Sequence, residues 1–164
     1  MIRYFRKPIT WDLPIGFDFK HERALEIAKS DPVFYKHQAY ELIGDAECYI
    51  PPIFKNAYSC ALGDGEVLKS DILLFRNVEP HIDENFSDWQ LPDCKRVRTY
   101  YGHVFLHGTG VFKSYNSRAN PDKPTSIIPF KPGTVILMNQ EVRHSVDSVD
   151  GYIFTYCEER IFAE

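Results

Sequence analysis

Apolar and polar positions change their rhythm once along the chain. Residues 19–30 place Ala24, Leu25, Ile27 and Ala28 on one side of a helical wheel and charged residues on the other. Asp18 stands before this stretch as an N-cap and Ser30-Asp31-Pro32 ends it, so a short amphipathic helix is predicted. The first 14 residues hold two prolines and read as an extended lead-in. A helical turn or loop is expected through Tyr40, and Pro51-Pro52 breaks the chain again. From about residue 58 the period shortens. Short β runs are predicted at 58–62, 67–68, 72–75, 96–106, 111–115, 126–130, 134–138 and 152–157. Turn signals separate them, among them Gly63-Asp64-Gly65 and His107-Gly108-Thr109-Gly110, the second read as a hairpin. Such a series of short strands implies a sandwich or a double-sheet jelly roll. The expected architecture is mainly β with a small N-terminal helical segment. It is one domain, with residues 1–57 as an extended and helical cap and 58–164 as the core.

Composition narrows this picture without changing it. The 164 residues suit one domain, and 44% hydrophobic with 15% aromatic residues supports a packed core and excludes disorder as the main state. No apolar run approaches the length of a membrane span, and the charged start has no apolar stretch behind it, so no secretion signal is expected. A cytoplasmic protein follows as the expectation. The net charge of −4 leaves no broad basic field for nucleic acid. Lys95, Arg96, Arg98, Lys113, Arg118 and Lys123 crowd one region and keep a local patch open. Cys48, Cys60, Cys94 and Cys157 make no Cys-x-x-Cys pair, which removes zinc-ribbon and thioredoxin readings and leaves reduced thiols.

Candidate chemistry starts at His81-Ile82-Asp83. In extended backbone, residues two apart share a face, so the imidazole and the carboxylate can share a divalent metal. His144 follows Pro132-Gly133 and the apolar run 134–138. A jelly roll brings such distant strands side by side. His81, Asp83 and His144 would then form a two-His, one-carboxylate set, which leaves coordination positions open and suits non-haem Fe(II). Ser145, Asn139 and Thr99 are candidates for orienting those ligands.

The same residues resemble the Fe(II)/2-oxoglutarate-dependent dioxygenases, and most of all their small prolyl-hydroxylase-type members. The likeness spans about residues 70–162. It rests on His81-Ile82-Asp83, on Arg96, Thr99, Tyr100 and Tyr101, on Gly108-Thr109-Gly110, on Pro132-Gly133-Thr134-Val135-Ile136-Leu137, and on His144-Ser145-Val146. It implies a double-stranded β-helix with His81, Asp83 and His144 as catalytic iron ligands. It further implies 2-oxoglutarate and O2 as cosubstrates, with decarboxylation to succinate coupled to hydroxylation of a C–H bond.

One departure stands out. The family commonly carries an Arg about ten residues after the second His to hold the distal carboxylate of 2-oxoglutarate. Here Asp150-Gly151-Tyr152-Ile153-Phe154-Thr155 contains no cation. Arg160 is the first candidate replacement, sharing a face with Phe154 and Tyr156 if the last strand alternates regularly. Lys113 is the second, and Tyr101 and His103 share a face that could supply a hydroxyl or an imidazole. A different cosubstrate, or none, remains open. Trp89, in the segment 84–94 behind the metal motif, is the candidate substrate contact. The expected substrate is a protein or peptide side chain such as prolyl. The alternatives are nucleic-acid oxidation of the alkylation-repair type and a non-catalytic cupin-like binding module.

Overall fold

The structure is a computed structural model. It describes residues 8–13, 21–30, 39–42, 66–82, 98–115, 120–139, 142–149 and 151–162. The predicted strand 58–62, the Asp18 cap, Asp83, Trp89 and the segment 84–94 lie outside the described residues.

Ten strands and one helix follow in chain order: β1 (Ile9–Asp12), α1 (His21–Ser30), β2 (Ala39–Leu42), β3 (Glu66–Phe75), β4 (Val78–His81), β5 (Arg98–His107), β6 (Gly110–Tyr115), β7 (Ser126–Phe130), β8 (Thr134–Asn139), β9 (Arg143–Ser148) and β10 (Ile153–Phe162). The larger sheet has the order β1-β8-β5-β10-β3-β2, the smaller β4-β9-β6-β7, and every pairing is antiparallel. From β3 onward the chain passes between the sheets at each step, except for the β6–β7 hairpin. Those eight strands are a double-sheet jelly roll, the expected fold class.

Burial separates the two sheets. In the smaller sheet β6 alternates strictly, with Gly110, Phe112 and Ser114 buried and Val111, Lys113 and Tyr115 half-buried. One face meets the core and the other meets solvent. In the larger sheet all six residues of β8 are buried. Its inner face supplies Phe105, Ile136, Met138 and Ile153 to the inter-sheet core. Its outer face, with Ile72, Leu74, Val104, Leu137, Phe154 and Tyr156, is buried as well. A sheet covered on both sides needs unbroken apolar runs, which explains Val135-Ile136-Leu137-Met138 and Val104-Phe105-Leu106. Helix α1 buries Ala24 and Ala28 completely and lies against β2.

Four expectations change. The turn at 107–110 does not close a hairpin: β5 pairs with β8 and β10, while β6 pairs with β7 and β9. It carries the chain from one sheet to the other. Gly108 takes φ +91°, and a Cβ at Gly110 would sit 2.2 Å from the Asp147 carbonyl oxygen, so both glycines are required there. Residues 39–42 are a strand paired with β3, not a helical turn or loop. The extended lead-in is itself an edge strand: β1 pairs with β8, and Thr10 Oγ1 donates to the Val135 carbonyl at 2.9 Å. The runs at 67–68 and 72–75 join into one ten-residue strand, β3.

Candidate metal centre

His81 ends β4 and His144 lies on β9, and the two are direct register partners. Their rings stand 4.4 Å apart between centroids, tilted by 53°. That meeting depends on an irregularity. Val78 pairs with Val146 and His81 with His144, so three steps along β4 match two along β9. In a regular strand, Val78 facing inward would send His81 outward. The extra residue of the bulge turns His81 back to the inner face beside His144. Pro80 sits inside this bulge on an edge strand, where a residue without an N–H is tolerated.

Both imidazoles are held by the same device. His81 Nδ1 donates to the Glu79 carbonyl at 2.8 Å, and His144 Nδ1 donates to the Val142 carbonyl at 3.0 Å. A carbonyl oxygen only accepts, so Nδ1 carries the hydrogen in each ring, and in the neutral imidazole Nε2 is then the lone-pair nitrogen. This is the state in which imidazole binds a metal, with its other nitrogen fixed by a backbone acceptor. Phe112 lies nearly parallel to His144, 5.3 Å between centroids and 13° between planes. Sequence reasoning missed Phe112, although the alternation of β6 could have shown it facing inward.

The rings open onto a cavity of about 110 Å³ between the sheets. Its wall is overwhelmingly apolar, with Leu73, Phe75, Phe105, Phe112 and Val146 among its residues. His103 joins from β5, buried, with its ring 6.5 Å from that of His144. Among the described residues no group of three His, Cys, Asp or Glu side chains is arranged to hold a metal. Asp83, the expected carboxylate, lies outside them.

The remaining candidates separate. Tyr101 is buried in the inter-sheet core with the same parity as His103. Lys113 is not brought to the cavity. It lies on the face of β6 opposite Phe112 and forms an ion pair with Asp147. The hydrogen bond that Lys113 Nζ donates to Asp147, and the negative charge of that carboxylate, raise the Lys113 pKa above 10.5. Arg160 pairs by backbone register with Tyr100 and Val67, across a bulge at Glu159/Arg160; its side chain lies outside the described residues. Ser145 does not orient His144. It has the opposite parity and its hydroxyl bonds Tyr115 at 3.0 Å. Eleven residues after His144 stands Thr155, fully buried, registered between Leu73 and Phe105, with a hydroxyl that has no hydrogen-bond partner among the described residues.

No protein-family model and no curated protein matches the chain. Solved structures do match. EvdMO1 is 13% identical with a TM-score of 0.55, over 96% of this chain and 47% of that one. The non-heme alpha ketoglutarate dependent carbocyclase SnoK from nogalamycin biosynthesis is 12% identical with a TM-score of 0.53, over 96% and 80%. An oxidoreductase of the 2OG-Fe(II) oxygenase family from Burkholderia pseudomallei is 16% identical with a TM-score of 0.50, over 94% and 83%. The chain thus spans under half of EvdMO1 and about four fifths of the other two. At these identities the likeness is one of fold.

Proposed function

We propose that the protein is a mononuclear non-haem iron oxygenase that uses a 2-oxo acid, 2-oxoglutarate in the first instance, to hydroxylate a C–H bond of its substrate. The observation that carries this reading is the His81–His144 pair, register partners whose Nδ1 atoms both donate to backbone carbonyls. Two imidazoles lining one cavity, with Asp83 two residues past His81, are a donor set suited to Fe(II). Fe(II) bound there would supply dioxygen activation, driven by decarboxylation of the 2-oxo acid. The chain's own contribution is positional. The two carbonyl acceptors hold the rings, Phe112 supports His144, and the apolar wall excludes water. The proposed substrate is a protein or peptide side chain, which the net charge of −4 favours over nucleic acid. Oxygenases of this fold among the structural neighbours support the reaction class.

The test is an anaerobic Fe(II) titration with and without 2-oxoglutarate, followed by the visible charge-transfer band of the iron–keto-acid chelate. The band is expected in the wild type and absent in His81→Ala and His144→Ala. Iron binding without a band for any 2-oxo acid would remove the cosubstrate and leave the metal site. No iron binding would favour a binding module of jelly-roll fold.

A further inference from the structure

The cavity beside His81 and His144 has a polar spot on its larger-sheet side. His103 lines it from β5, two residues before Phe105 and on the same face. Thr155 follows from register. It is paired directly with Leu73 on β3 and with Phe105 on β5, and both of those line the cavity. Directly paired residues of antiparallel strands share a face, so Thr155 stands on the cavity side too, set back between two longer side chains. Its neighbours along β10 agree: Ile153 belongs to the inter-sheet core and Cys157 packs against it. Cys157 is the register partner of His103, which makes His103 and Thr155 diagonal neighbours on one face. Such neighbours stand about 7–8 Å apart between Cα atoms, so one carboxylate between their side chains can meet both.

The Thr155 hydroxyl is costly in the empty fold. It is fully buried with no hydrogen-bond partner among the described residues. A buried polar group in that state calls for an explanation, and a ligand bound there supplies one. The hydroxyl offers an O–H donor, and an imidazole offers an N–H donor in either tautomer. A carboxylate accepts both, and hydrogen bonds to a charged acceptor are the stronger kind. Leu73 and Phe105, which flank Thr155, suit methylene groups. The spot and its surroundings therefore match a short aliphatic chain that ends in a carboxylate. Resting on the reading of a 2-oxo-acid-driven metal site, we infer that Thr155 and His103 receive the distal carboxylate of 2-oxoglutarate.

Anaerobic titration of the Fe(II)-loaded protein with 2-oxoglutarate and with 2-oxopentanoate, read by the chelate band, tests it. The second acid carries a methyl group in place of the distal carboxylate. Thr155→Val should weaken 2-oxoglutarate about tenfold and change 2-oxopentanoate by less than about twofold. His103→Phe, which keeps a ring and removes its N–H, should show the same selective loss. Thr155→Ser keeps the hydroxyl and should stay within about threefold of the wild type for both acids. Thermal unfolding without metal or acid should place Thr155→Val no lower than the wild type, which separates a lost ligand contact from a damaged fold. Unchanged 2-oxoglutarate binding in either Thr155→Val or His103→Phe overturns the inference, as does an equal loss of both acids. A selective loss in Arg160→Ala with none in Thr155→Val also overturns it and moves the carboxylate to that guanidinium. Iron content by equilibrium dialysis without any 2-oxo acid reads the metal site separately. A protein that binds iron and 2-oxoglutarate, but whose variants do not discriminate the two acids, keeps the proposed function and loses only this assignment. One that binds no iron loses both.

Discussion

A hydroxyl and an ammonium near the site invite opposite expectations. Thr155 Oγ1 is fully buried without a hydrogen-bond partner among the described residues, so its desolvation is uncompensated there. Thr155→Val keeps the branched shape and removes that penalty. It should stabilise the protein by about 1 kcal/mol, a rise in Tm of about 2–4 °C by thermal unfolding. A fall in Tm would show that the hydroxyl is satisfied in solution. Lys113 is different. Its pKa is raised by the Asp147 hydrogen bond and charge, so the protonated form is favoured in the fold. The stabilisation is fully present below the unfolded value of about 10.5 and is lost as pH rises through the higher folded value. The pair is partly exposed, which limits its worth to about 1 kcal/mol or less. Lys113→Met should therefore lose a small, constant increment of stability from pH 6 to 9 in urea unfolding. The difference from wild type should vanish only at strongly alkaline pH. Iron binding should not change.

At the scale of elements, the β4 bulge decides whether the two histidines meet. The strand reads Val78-Glu79-Pro80-His81, and only the extra residue gives Val78 and His81 the same face. A bulge and a deletion each shift parity by one step, so the two cancel. Deletion of Pro80 should regularise the pairing with β9 and leave His81 two steps after Val78, still facing inward opposite His144, so iron binding should be retained. The edge position should let the fold survive, as checked by circular dichroism beside metal dialysis. Loss of iron binding in a protein that keeps its fold would show that the bulge itself, and not the inward face of His81, is required. The contrast between the sheets also belongs at this scale. The alternation of β6 marks a strand with one wet face, and the unbroken burial of β8 marks one with none.

For the whole molecule, the proposed metal centre would act as a cross-link. His81 and His144 come from strands far apart in sequence, and an ion held by both would join them only in the folded state. A ligand that binds the native state alone stabilises by about 2.7 kcal/mol at a hundredfold excess over its Kd. For a chain of this length that corresponds to about 5–10 °C in Tm. Fe(II) under anaerobic conditions should give a shift of that order in the wild type and none in His144→Ala. An equal shift in both would place the metal elsewhere.

Several features were legible in the chain itself because they are local. The period of residues 19–30, the β runs with their Gly and Pro turns, and the spacing of His81, Asp83 and His144 follow from side-chain periodicity and backbone sterics. The jelly-roll class followed from the number and length of those runs, and the larger and smaller sheets bear it out. Pairing was not legible, because it joins residues distant in sequence. The short stretches at 9–12 and 39–42 carry too little pattern to read as strands, and they become strands through β8 and β3. The turn at 107–110 resembles a hairpin locally, yet the partners of β5 and β6 lie in different sheets. Parity explains Lys113, which a strand position alone leaves ambiguous and its register opposite Ser145 resolves. The bulge at Pro80 had a trace in the sequence, a proline inside a strand, but its effect on His81 depends on β9. Residue type and spacing set the chemistry available to this protein. Long-range strand pairing set which of those side chains share a cavity, since only contact across the sheets decides which face each one takes.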